Sequence, residues 1–200
     1  IMSYHQRSVN MKKKSLFSLL FIAALGINTS LAQLQLQKLE FDLDKDGITD
    51  TVWFDIDKGQ LEILLSTQAD RRVHTPFLFD PLEIYSYQLT QEGQGFRLYI
   101  MNLPLITDAH FYYDEKEKRI RLSQITIENR KNPIGHGYKV VTDIDLLTGK
   151  FTEKRSVYHA STDEFIDEVR AGKGRFGPVY VEEYKINTAK ELLDSLIIDD

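Results

Sequence analysis

Thr51-Val52-Trp53-Phe54-Asp55-Ile56-Asp57-Lys58-Gly59-Gln60-Leu61-Glu62-Ile63-Leu64-Leu65 is the stretch that decides the fold class. Val52, Phe54 and Ile56 recur at every second position, the side-chain period of a half-buried strand and not of a helix. Lys58-Gly59 then supplies a turn, and Leu61 to Leu65 is a second short apolar run that can fold back on the first. The pair reads as a β-hairpin.

The same pattern recurs downstream. Glu83–Leu89 and Phe96–Met101 flank Glu92-Gly93-Gln94-Gly95, and His110–Tyr113 and Arg119–Ile127 flank the charged turn Asp114–Lys118. Tyr138–Ile144 and Phe151–Tyr158 flank a turn containing Thr148-Gly149, and Val179–Tyr184 reads as a late strand. Successive hairpins with polar turns favour an antiparallel sheet curled into a sandwich or partial barrel. Two short helices are expected toward the C-terminus. Ser161-Thr162-Asp163-Glu164 is a capping-box pattern leading into Phe165, Ile166 and Val169, and Thr188-Ala189-Lys190-Glu191 leads into Leu192, Leu193 and Leu196. Arg170, Lys173 and Arg175, interleaved with Gly172 and Gly174, read as a solvated loop. No internal repeat or long linker divides this region, so residues 33–200 are expected to form a single β-rich domain.

The amino-terminal region reads differently. Lys12, Lys13 and Lys14 form a basic cluster after Met11, Leu16–Ile27 is apolar apart from Ser18 and Gly26, and Ser30-Leu31-Ala32 places small residues at the two positions a signal peptidase reads. The apolar run is shorter than the roughly 20 residues of a membrane span. Residues 11–32 are therefore expected to be a signal peptide cleaved near Ala32-Gln33, and residues 1–10 an upstream extension. The expected location is periplasmic or secreted. Residues 1–32 contain Arg7, Lys12, Lys13 and Lys14 and no acid, so residues 33–200 keep 21 bases and 30 acids, a net charge of −9. That acidity disfavours nucleic acid as a partner, because a phosphate backbone needs a basic face. The chain has no cysteine, which excludes disulfides, thiolate metal sites and cysteine nucleophiles.

One motif carries chemistry. Asp42-Leu43-Asp44-Lys45-Asp46-Gly47-Ile48-Thr49-Asp50 has acids at loop positions 1, 3, 5 and 9 and glycine at position 6. A hard divalent cation takes six to eight oxygen ligands, and this spacing aims carboxylates at one centre while glycine permits the sharp turn. The expected Ca²⁺ ligands are Asp42, Asp44, Asp46, the Ile48 carbonyl and Asp50. Position 12 is Trp53 instead of the bidentate glutamate of an EF-hand, so a completing ligand would come from elsewhere, with Asp55 and Asp57 nearest. The competing reading is a solvated acidic turn entering a strand.

Other constellations are weaker. His74, His110, His136 and His159 lack metal-ligand spacing, and no G-x-S-x-G elbow occurs. The acid pairs Glu182-Glu183 and Asp143 with Asp145 could mimic a glycosidase pair, but charged strand residues are mostly solvated. Asn132-Pro133-Ile134-Gly135-His136-Gly137-Tyr138 reads as a protruding turn, either a bulged connection or a surface presenting His136 and Tyr138.

The Asp42–Asp50 loop running into Thr51-Val52 resembles the calcium loops of FG-GAP and VCBS-type exported proteins, here in a single copy. With His110–Leu122, Gly135–Gly137 and Leu146-Leu147-Thr148-Gly149, it also resembles a family of small bacterial envelope proteins similar in fold to periplasmic lysozyme inhibitors. The inhibitors' S-G-x-Y loop is absent, the nearest stretch being Gly135-His136-Gly137-Tyr138. The resemblance implies an exported, calcium-binding β-domain that acts as a binding or inhibitory module in the cell envelope, toward a wall-degrading enzyme or an envelope glycan. An envelope hydrolase with dispersed acids and a carbohydrate-binding module are the alternatives.

Overall fold

Alternation of apolar and polar side chains lays down twelve strands in the computed structural model, which describes residues 37–66, 71–79, 84–131, 138–159, 161–185 and 187–197. Strands β1 (Lys38–Phe41), β2 (Asp50–Asp55), β3 (Gln60–Leu65) and β4 (Arg71–His74) form one antiparallel sheet in that order. The second sheet is an eight-stranded meander. Its strands are β5 (Ser86–Glu92), β6 (Gly95–Asn102), β7 (Leu105–Asp114), β8 (Arg119–Lys131), β9 (Tyr138–Asp145), β10 (Lys150–His159), β11 (Glu164–Gly174) and β12 (Leu196–Ile197), paired successively. Its end strands β5 and β12 do not pair with one another, so the sheet is not closed into a barrel. The arrangement is sandwich-like and mainly β, as the hairpin pattern implies.

Both sheets contribute to one core. Val52, Phe54, Leu61 and Ile63 face Leu89, Phe96, Leu98, Phe111, Leu122 and Ile125 in a single buried cluster. The Phe54 and Tyr87 rings, one from each sheet, lie 5.0 Å apart. Alternation explains which residues enter: from Thr107 onward in β7, Thr107, Ala109, Phe111 and Tyr113 are buried while Asp108, His110, Tyr112 and Asp114 are partly exposed, and Ile106 before them is buried on the other face. In β8 the buried set shifts from Ile120 and Leu122 to Ile125 and Ile127. A bulge makes that change of phase, since Phe111 pairs with Leu122 and His110 with Gln124, leaving Ser123 over. The Ser123 hydroxyl donates to the His110 carbonyl at 3.0 Å, and the Ser123 carbonyl accepts from Leu146 N–H at 2.9 Å.

Three expectations are corrected. The Ser161–Val169 segment is not a helix. Residues 161–163 make a turn, with Asp163 at φ +56° accepting from the Tyr158 hydroxyl at 2.6 Å, and β11 then pairs with β10 over ten positions. Cross-strand charge explains the preference: Glu153 faces Arg170, Arg155 faces Glu168, and Lys154 Nζ lies 2.7 Å from Asp167. By the same register Arg170 and Lys173 sit on β11 and not in a loop. The late strand is also not formed. Tyr180 makes a single bridge to Arg121, followed by a 3-10 turn at Val181–Glu183. The open stretch of β8 there is short, because β9 pairs with β8 from Gln124 onward.

The second expected helix exists as α1 (Thr188–Asp194), with Ala189 and Leu192 buried against the core. Among the described residues no helix is long and apolar enough to cross a membrane. The signal-peptide segment 11–32 and the loop residues Asn132–Gly137 lie outside the described residues.

Candidate functional site

The acidic loop connects β1 to β2 at one end of the small sheet. Two residues in it adopt left-handed backbone, Lys45 at φ +63° and Gly47 at φ +86°, and these reversals coil the chain. Asp42 closes the coil: its Oδ1 accepts the Asp46 N–H at 3.0 Å and its Oδ2 the Gly47 N–H at 2.9 Å. Asp46 turns to its own neighbour, Oδ1 accepting the Ile48 N–H at 2.7 Å. Asp50 is buried at the base. Its Oδ2 accepts the Leu43 N–H at 2.8 Å, and its Oδ1 accepts the Ser66 N–H at 2.8 Å.

Of the expected ligands, the structure brings together Asp42, Asp44 and Asp50. One carboxylate oxygen from each lies within 4.8 Å of the others, a spacing that one cation could bridge. Asp46 is not in that trio of side chains, and Asp55 is taken by Lys58, whose Nζ lies 2.7 Å away. The Lys58 hydrogen bond holds the Asp55 carboxyl below the usual range, against an opposing push from burial. The donor set suits a hard cation, being three carboxylates on a glycine-turned loop. Lys45 Nζ, 2.6 Å from Glu115, ties the loop's exposed side to the β7–β8 turn.

The acid pairs Glu182-Glu183 and Asp143 with Asp145 have structural partners, Asp143 accepting from the Thr126 hydroxyl at 2.6 Å. Glu182 and Glu183 both approach the Arg119 guanidinium, at 3.4 and 3.1 Å, while that guanidinium lies 3.6 Å over the Tyr180 ring. Asp145 caps the β9–β10 turn through Leu147 and Thr148 N–H, and those bonds, Thr148 first, lower its carboxyl. His110 Nδ1 lies 2.9 Å from Glu92.

A second feature was not singled out from the sequence. A cavity of about 420 Å³ opens on the core-facing side of the large sheet and is lined by Ile127, Asn129, Thr142, Glu153, Arg155 and Leu193, among others. Alternation from Phe151 puts Glu153 and Arg155 on the face that carries the core, so two charged side chains occupy inward positions. They pair with each other, Arg155 Nε donating to Glu153 Oε1 at 2.8 Å. Asn129 Oδ1 is buried and accepts no hydrogen bond among the described residues. The available signal was that strand alternation, Phe151-x-Glu153-x-Arg155.

No family model, curated protein or solved structure matches this chain. What fold and site define is a class: a two-sheet antiparallel β-protein with an acidic loop at one end of its small sheet and a cavity of mixed polar and aliphatic lining on the inner face of its large one.

Proposed function

We propose that the chain is an exported β-domain that works as a binding module in the cell envelope, with a Ca²⁺ ion holding its acidic loop in shape. The observation that carries this reading is the approach of Asp42, Asp44 and Asp50 carboxylates to within 4.8 Å of one another. Three negative groups at that distance repel in the absence of a counter-charge and attract a divalent cation strongly. Burial of Asp50 supports a structural role for the ion over a sensory one, since the loop is anchored beneath it by Leu43 and Ser66. The export part of the reading rests on the Lys12–Ala32 sequence pattern alone.

Thermal melting with EDTA and with added Ca²⁺ tests the ion. EDTA should lower the melting temperature and Ca²⁺ restore it, while an unchanged melt under both conditions sinks the metal site. The binding role is tested with peptidoglycan and lysozyme. Slowed wall digestion supports an inhibitor of a wall-degrading enzyme. Fragments released without added lysozyme support the hydrolase alternative.

The cavity favours a second reading, binding of an envelope glycan fragment. Glu153, Arg155, Asn129 and Thr142 offer hydroxyl partners beside the aliphatic wall of Ile127 and Leu193. Glycan-induced NMR shifts confined to these residues, without hydrolysis or inhibition, would favour it.

A further inference from the structure

Among the described residues, strand β11 has no partner on its outer side from Glu164 to Gly172, where it lies beyond the reach of the two-residue strand β12. Phe165, Ile166 and Val169 are 58%, 42% and 65% exposed, and the strand is solvent-accessible along nearly its whole length. One side pairs with β10. On the other, the only described backbone is β12, which meets β11 at Lys173 and Gly174 alone. Gly174 N–H donates toward the β10 side, to Gly149 at 2.7 Å. Peptide groups alternate in direction along an antiparallel strand, so those of Phe165, Asp167, Val169 and Ala171 point to the open side. An open edge bearing large apolar side chains is a template for another strand.

We infer that this edge is the interface of a homodimer, in which β11 of two copies pair antiparallel about a two-fold axis through Val169. Charge selects the partner and the register. Such an axis through Asp167, Glu168 or Arg170 sets that residue against its own copy, like charge to like charge. An axis through Ile166 sets Glu164 against Glu168. With the axis at Val169, Glu168 faces Arg170 of the second copy twice, Asp167 faces Ala171, and Ile166 faces Gly172, with no like charges opposed. The pairing then spans Ile166–Gly172 and stops where β12 begins. It also extends an existing pattern. Within one chain Arg155 faces Glu168 and Glu153 faces Arg170, so the dimer produces rows reading Arg155, Glu168, Arg170, Glu153 across four strands. Opposite signs alternate at each step. At the centre the two Val169 residues exchange N–H···O=C bonds, and their apolar side chains cover one another.

The chain lacks cysteine, which makes the test direct. Directly opposed hydrogen-bonded residues have Cα atoms about 5.5 Å apart, inside the range a disulfide spans. Val169→Cys should therefore form a covalent dimer on mild oxidation, whereas Thr152→Cys, exposed on β10, should not. Light scattering on the unmodified chain should give the dimer mass. Val169→Lys and Glu168→Arg should each return the monomer while preserving the β circular dichroism spectrum. A monomer at every concentration overturns the inference, and so does a dimer that survives Val169→Lys. If that variant does not fold, the two cysteine variants decide. Equal cross-linking of Val169→Cys and Thr152→Cys, or none of Val169→Cys, rejects the edge.

Discussion

Asp50 and Ser66 meet beneath the acidic loop, where Asp50 Oδ1 accepts both the Ser66 N–H at 2.8 Å and the Ser66 hydroxyl at 3.0 Å. The last acid of the loop is thereby fixed to the end of β3, and its second oxygen is fixed to the loop's own start through Leu43. Asp50 thus has a role in the fold that precedes any cation. Asp42 and Asp44 can be asked about the ion more cleanly than Asp50 can.

That division gives a prediction. Asp50→Ala leaves the buried N–H of Leu43 and the half-buried N–H of Ser66 without their acceptor and should cost roughly 3 kcal/mol even in EDTA. Asp44→Asn should cost less in EDTA, yet should abolish the gain in stability from Ca²⁺. Urea unfolding of both variants, with and without Ca²⁺, separates the two roles. Equal losses in EDTA would show that Asp44 is as much a fold residue as Asp50.

Tyr184 predicts a pH dependence at the alkaline end. Its phenol is buried against Phe111, ring centroids 5.3 Å apart and edge-on, and burial raises its pKa from 10.0 to about 12. Above the ordinary value the unfolded chain ionises this tyrosine while the folded chain does not. The stability it contributes is complete below pH 10 and is lost as pH rises through about 12. Over that window the loss should run at about 1.4 kcal/mol per pH unit. Tyr184→Phe should flatten the alkaline limb relative to the parent chain. Denaturant melts from neutral pH to pH 12, followed by tyrosinate absorbance, measure the difference.

The strand pattern was legible because burial on one face imposes a period of two, and Val52, Phe54, Leu61 and Ile63 are buried as that period requires. Helix α1 was legible because Leu192 has a core to face. The Ser161–Glu164 pattern misled because its polar side chains serve a turn instead of a helix start, the Thr162 hydroxyl donating to the His159 carbonyl and Asp163 accepting from the Tyr158 hydroxyl. What decided between them was the long partner strand β10, whose charges match β11 and are not local in sequence. At the loop, spacing indicated acids around one centre. It could not show Asp46 engaging Ile48 or Asp50 reaching Ser66, since both are matters of three-dimensional coil. The cavity was hidden for a related reason. Glu153 and Arg155 look like ordinary surface residues until the sheet fixes which face of β10 is inside.

Phe111 tests the core where the bulge re-phases the sheet. It is nearly fully buried, stacked on Phe96 at 5.2 Å with 19° between planes, and edge-on to Tyr184. Phe111→Ala should cost about 3–5 kcal/mol, while Phe111→Leu should cost less because much of the volume is kept. Urea midpoints with unchanged slope would attribute the loss to packing.

Gly47 and Gly59 both have positive φ, +86° and +59°, but for different reasons, and alanine at each should show it. At Gly47 a Cβ would meet nothing within 4 Å, so the penalty is conformational, about 1–2 kcal/mol. At Gly59, in the turn between β2 and β3, a Cβ would stand 2.2 Å from the Phe79 carbonyl oxygen. That carbonyl cannot move freely, because neighbouring Leu78 N–H donates to the Gly59 carbonyl at 2.8 Å and both Leu78 and Phe79 are buried. Gly59→Ala therefore carries the left-handed penalty plus the displacement of a packed segment and should be clearly the more destabilising. The Ca²⁺ response orders the pair oppositely. Gly47→Ala should weaken it by disturbing the coil that Asp42 closes, while Gly59→Ala, outside the acidic loop, should leave the gain from Ca²⁺ intact in whatever fraction remains folded. Calcium titrations of both variants, monitored by melting temperature, provide the measurement. A Gly47→Ala chain with the parent's full Ca²⁺ gain would count against the coil as the ion's seat.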